Sequence, residues 1–195
     1  MLIATSTVFA MPRGARADQT SIQANGGLEV LGSGDAVSAG LRLHAGYGRS
    51  FGSGSVQPTV AIGATFGWGS LHVDDAGSPT GATSTALLEA GPELTLALRF
   101  ADGGWADNHV FATAAWMYAS VDEEQDGRTI PGVDPGSGMR FGLGVSWVGT
   151  TARAITTSTA KSDGAFMWIV PQQIELVFER SGGFDRYGAV LAWGV

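Results

Sequence analysis

From Val37 to Tyr47 the chain alternates without a miss. Val37, Ala39, Leu41, Leu43, Ala45 and Tyr47 stand against Ser38, Gly40, Arg42, His44 and Gly46. A period of two places one set on each face of a β-strand. The alternation returns along the chain and predicts about eight strands of ten or more residues, the length that crosses a bilayer at a tilt. The predicted segments are 21–31, 37–47, 59–73, 85–100, 110–121, 139–149, 166–180 and 186–195. Between them lie turn-rich stretches such as Gly32-Ser33-Gly34-Asp35, Gly52-Ser53-Gly54-Ser55, Asp74–Gly81 and Ser181-Gly182-Gly183.

Three places strain the pattern. In the third segment the apolar phase jumps after Ser70, so that Leu71 and Val73 become the apolar positions, and a β-bulge is expected there. In the fourth, Pro92 falls within the apolar phase and has no ladder donor. The fifth is apolar on both faces, and Trp116 and Tyr118 are assigned outward. The stretch Asp122–Gly138 is the most polar loop, and the Thr-rich 150–164 is long for a turn.

The apolar phase of these strands holds no Asp, Glu, Lys or His, and only Arg180 enters it, at a strand end. The other charged strand residues fall opposite: Glu29, Arg42, His44, Glu89, Glu93, Arg99, Arg140, Glu175, Glu179 and Arg186. Their companions are mostly Gly, Ala, Ser and Thr. A soluble sandwich buries the bulky face and wets the charged one. Here small residues with a few acid–base partners suit a narrow lumen, and the bulky face suits lipid. The expected fold is therefore an all-β, antiparallel up-and-down transmembrane β-barrel. With both termini on one side, Tyr47, Phe100, Trp147, Trp168 and Trp193 fall near one rim. Trp68, Trp116, Tyr118, Phe141, Phe178 and Tyr187 fall near the other. Two such girdles fit the two headgroup interfaces.

Composition sharpens this. The 195 residues include 30 glycines and no cysteine, with net charge −7. One domain is the natural division, and stability must come from something other than disulfides. No basic stripe offers a nucleic-acid surface. Residues 1–17 read as an export signal: an apolar stretch from Leu2 to Met11, then Pro12, then the small-x-small site Ala15-Arg16-Ala17, although no Lys or Arg precedes the apolar stretch. Residues 18–195 form the expected barrel domain. No segment approaches ~20 consecutive apolar residues, so no transmembrane helix is expected.

The last strand, Tyr187-Gly-Ala-Val-Leu-Ala-Trp-Gly-Val195, carries the most specific likeness. With the alternation over residues 18–195, it resembles the small bacterial outer-membrane β-barrel proteins, the eight-strand group that includes the outer-membrane protein A barrel. Tyr187, Leu191 and Trp193 match the terminal pattern, while Val195 stands where Phe is usual. The resemblance implies residence in the bacterial outer membrane, lipid as the surrounding partner and insertion by the barrel-assembly machinery.

The chemistry is sparse. The lumen charges read as a salt-bridge network that plugs the barrel, since buried charges must be paired; the competing reading is a narrow ion path. Hydrolysis would need His72 to meet Ser70 and Asp74 or Asp75 through loop folding. The carboxylates Asp122, Glu123, Glu124, Asp126 and Asp134 lack calcium-loop spacing, so they read as a solvated loop that at most bridges divalent ions to lipopolysaccharide. Gly142-Leu-Gly144 lies within a strand and is no phosphate cradle. No cofactor is expected. The functional expectation is a non-enzymatic membrane protein with a structural or surface-contact role and an unidentified extracellular partner. The alternatives are a narrow pore and a soluble, secreted barrel holding an apolar ligand.

Overall fold

The computed structural model describes residues 18–52, 54–100, 108–125, 128–147 and 171–194. The expected leader, Trp105, the Thr-rich stretch, Trp168 and Val195 lie outside the described residues. Eight strands close into one antiparallel barrel. They are β1 (Asp18–Gly32), β2 (Ala36–Phe51), β3 (Val56–Asp74), β4 (Ala82–Phe100), β5 (Asn108–Val121), β8 (Gly136–Ser146), β9 (Gln173–Ser181) and β10 (Phe184–Gly194). The loop after β5 carries a two-stranded hairpin of its own, β6 (Glu124–Gln125) with β7 (Arg128–Thr129). Every barrel strand pairs with its chain neighbour, and β1 closes on β10.

The register fixes the geometry. A row of partners runs from Tyr47 through Ile62, Leu94, Ala114, Phe141, Phe178, Tyr187 and Gly32 and returns to β2 at Val37, ten residues from its start. With ~3.3 Å per residue and ~4.8 Å between strands, that offset tilts the strands by about 40°. The interior of such a barrel is filled by side chains.

The faces sort as alternation requires. Along β2 the exposed Val37, Leu41, Leu43 and Tyr47 interleave with buried Ser38 and Arg42. β5 resolves in the same way: Trp116 and Tyr118 point outward, while Phe111, Thr113, Ala115 and Met117 point inward. The bulge expected after Ser70 is absent. β3 keeps one register against both neighbours from end to end, so Leu71 and Val73 sit inside the barrel. The apparent slip in phase is a change in what the lumen holds, from polar below to apolar above. Several strand bounds also move: β1 begins at Asp18, β2 runs on to Phe51, β3 begins at Val56, β4 begins at Ala82, β8 spans Gly136–Ser146, and the described part of the seventh barrel strand begins at Gln173.

One mouth, formed by the β1–β2, β3–β4, β5–β8 and β9–β10 connections, is stoppered. Ala36, Leu71, Val73, Leu87, Ala119 and Val121 form an apolar cluster inside it, and Ile130 from the β5–β8 loop inserts among them. Val133 and Phe184 pack against the cluster. The β9–β10 turn that crosses this mouth has only two residues, Gly182 and Gly183, at φ 63° and 93°. Both lie in the left-handed region that a tight hairpin needs, which explains glycine at each.

Candidate functional site: an ion lock in the lumen

Beneath the stopper, six charged side chains from six different strands meet. Arg42 of β2, Arg140 of β8 and Arg186 of β10 face Glu29 of β1, Glu89 of β4 and Glu179 of β9. Each is less than a tenth exposed. Inward alternation explains the convergence, because each residue occupies a lumen position in its own strand.

The contacts interlock. Arg42 grips Glu29 in a fork, Nη2 to Oε1 at 2.5 Å and Nε to Oε2 at 3.2 Å. The same Nη2 donates to Glu89 Oε2 at 2.8 Å and Glu179 Oε2 at 3.3 Å. Arg140 Nη1 donates to Glu29 Oε2 at 2.6 Å and Glu179 Oε2 at 2.7 Å. Arg186 Nη2 donates to Glu89 Oε1 at 2.6 Å and Glu179 Oε1 at 2.9 Å, and its Nη1 donates to Ser38 at 2.6 Å. The Ser181 hydroxyl sits between Glu89 and Glu179 and touches both. Charged hydrogen bonds of this kind are roughly twice as strong as neutral ones.

Bare wall positions make room for the lock. A Cβ at Gly67 would lie 2.6 Å from Arg42 Nη1, and one at Gly142 would lie 1.8 Å from Glu175 Oε1. These glycines act through space and not through backbone freedom.

The remaining predicted lumen residues surround the lock. Glu175 accepts from Thr113 Oγ1 at 2.5 Å, with Arg140 Nη2 at 3.6 Å. His44 Nδ1 stands 3.0 Å from Glu93 Oε1, and Thr95 Oγ1 donates to Glu93. Arg99 lies farther down β4, in register with His109 of β5 and outside the six-residue cluster. Ser38, Thr113 and Ser181 are members that the charge pattern alone does not reveal. A void of about 10 Å³ beside Glu29, Ser38 and Glu89 has room for about one water. Glu29, Glu89 and Glu179 bring carboxylate oxygens within 4.8 Å of one another, a spacing suited to a metal ion. Three guanidinium groups already fill the cation's place there.

The aromatics take positions set by the tilt. Height climbs by about 3 Å per strand along a register row. On that scale Phe66, Trp68, Trp116, Tyr118, Phe141, Phe178 and Tyr187 fall in a band about 7 Å tall. Phe178 and Tyr187 also pack together, with ring centroids 5.2 Å apart. About 20 Å lower lie Tyr47, Phe51 and Phe100. Trp147 and Trp193 lie at that level too but are half-buried. The wall between is Leu43, Ile62, Leu94, Leu96, Leu143, Val145, Leu176 and Leu191, all exposed.

The other candidates do not assemble a reactive centre. Ser70 Oγ and His72 Nε2 are 3.3 Å apart on the outer face of β3. The Asp75 carboxylate is turned away from them, accepting from Gly77 N–H, Thr83 Oγ1 and Arg128 Nη2. Arg128 also donates to the Gly77 carbonyl at 2.6 Å, so this cluster latches the β3–β4 loop to the β6–β7 hairpin. The Gly77 N–H, aided by Thr83 and Arg128 and opposed by desolvation, holds the Asp75 carboxyl below its ordinary range. In the acidic loop, Asp122, Glu123, Glu124 and Asp134 are exposed, and Asp126 lies outside the described residues.

No family model, curated protein or solved structure matches this chain.

Proposed function

We propose that the chain is an integral barrel of the bacterial outer membrane, sealed and non-enzymatic, which holds its rim loops at the cell surface in a structural or surface-contact role. The observation that carries this reading is the inversion of the two faces. Leu143 is 67% exposed and Leu176 66%, while Arg140 and Arg186 are 1% and 0% exposed. In water such a wall would be a large apolar patch, which soluble monomers avoid. In a bilayer it is the ordinary outer surface of a barrel. The aromatic band on one side and the looser group about 20 Å below it approximate a hydrocarbon slab with its two interfaces.

Stopper and lock together support a closed lumen over a pore. Among the described residues the charged interior offers no apolar cavity for a greasy ligand. Lipid is the partner throughout the wall, and insertion falls to the barrel-assembly machinery. The test is fractionation of expressing cells, followed by gel migration of the purified protein with and without boiling. The reading expects recovery in the outer-membrane fraction and a faster-running unboiled band. Recovery in the aqueous fraction without detergent would reject it. A steady single-channel current from the wild-type protein would reject the sealed lumen.

A further inference from the structure

Seven of the eight seams of this barrel run unbroken between their first and last paired residues. The eighth does not. Between β4 and β5, pairing runs from Phe100↔Asn108 to Glu93↔Ala115, stops, and resumes from Ala90↔Tyr118 to Leu87↔Val121. The gap holds Gly91 and Pro92 on β4 and Trp116 and Met117 on β5. Pro92 has no N–H to give, and proline in a central strand is otherwise confined to edges and bulges. A Cβ at Gly91 would run into the Trp116 carbonyl oxygen, so the two backbones stay in close approach across the unpaired stretch.

The gap is not near a rim. It lies at the level of the upper aromatic band, with Trp116 56% exposed outside it and Met117 fully buried inside. On the lumen face of β4, Glu89 and Glu93 flank it directly. Glu89 belongs to the lock and Glu93 to the His44 pair.

We infer that the Gly91–Pro92 gap is a built-in opening in the wall, the seam that parts first and admits water to the lock from the side while the stopper keeps the mouth shut. Local openings concentrate where backbone hydrogen bonds are fewest, and among the described residues this seam alone is unpaired within its span. The inference rests on the membrane reading above, in which the aromatic band marks a hydrated headgroup interface.

Hydrogen exchange of the folded protein in detergent micelles tests this without any variant. Amides of residues 88–94 and 114–118 are compared with those of 39–43 and 66–70, which lie at similar heights in the unbroken β2–β3 seam. The β4–β5 amides are expected to exchange roughly five- to tenfold faster, the factor of about one net hydrogen bond. Pro92→Val restores a donor and should bring them into the β2–β3 range. Gly91→Ala should speed them further by pushing Trp116 away. Equal protection of the two seams in the wild type would overturn the inference. So would unchanged exchange in a Pro92→Val protein that retains heat-modifiable migration.

Discussion

The lumen has two storeys that close it by different physics. The stopper is apolar: Leu71, Val73, Leu87, Val121 and Ile130 exclude water by filling space. The lock below it is ionic: three guanidiniums and three carboxylates hold one another in fixed directions. Burial of apolar surface is non-directional and roughly additive, so the stopper should weaken by degrees. A buried ion network is directional, and losing one partner strands the others in a low-dielectric interior. The contrast teaches that this lumen is filled by quantity at its mouth and by complementarity at its waist.

The sharpest way to break that contrast is Arg140→Ala. It removes the partner that bridges Glu29 and Glu179. The expected cost is about 3–5 kcal/mol, as for one member of a buried pair, read as a lower urea midpoint in micelles. Next comes Leu71→Ala in the stopper, where a fully buried side chain leaves a cavity. Its expected cost is about 2–4 kcal/mol. If Leu71→Ala proved more damaging than Arg140→Ala, the two storeys would not differ as described. Third is Gly142→Ala, which places a methyl against Glu175 and Thr113. Overpacking there should cost about 1–3 kcal/mol; a neutral result would show that the wall has slack around the lock.

The smallest effect belongs to the latch. Because the folded state holds Asp75 below the ordinary carboxylate range, the folded protein binds that proton less readily than the unfolded chain. The latch therefore contributes above the ordinary range and fades as the pH falls through and below it. Acid, or Asp75→Asn at neutral pH, should speed proteolysis of the β5–β8 loop while leaving the urea midpoint of the barrel unchanged. A loop cleaved equally fast at both pH values would separate the latch from loop order.

Much of this was legible in the alternation. Arg42 and Leu43 differ by one step in sequence and lie on opposite faces of the wall, as a period of two demands. The candidate charges at Glu29, Arg42, Glu89, Arg140, Glu179 and Arg186 all come from one phase, and the fold brings them together. The stopper was not legible. Leu71 and Val73 are apolar residues on the inner face, and the pattern offered a bulge as the simpler explanation. A phase rule assumes one kind of interior, and this lumen has two. Ser38 and Ser181 were equally hidden, because a hydroxyl in a small-residue phase gains its role only from the arginine that strand closure delivers to it. The Asp75–Arg128 latch joins residues 53 positions apart through a loop hairpin that no periodicity announces.

The central claim is that hydrocarbon covers the outer wall. The chain has no cysteine, so a spin label at a single introduced Cys reports one place only. Labels at Leu143→Cys and Leu176→Cys in proteoliposomes should collide freely with oxygen and hardly at all with a water-soluble nickel chelate. Ready collision with the nickel chelate at both positions would place the wall in water and contradict the account.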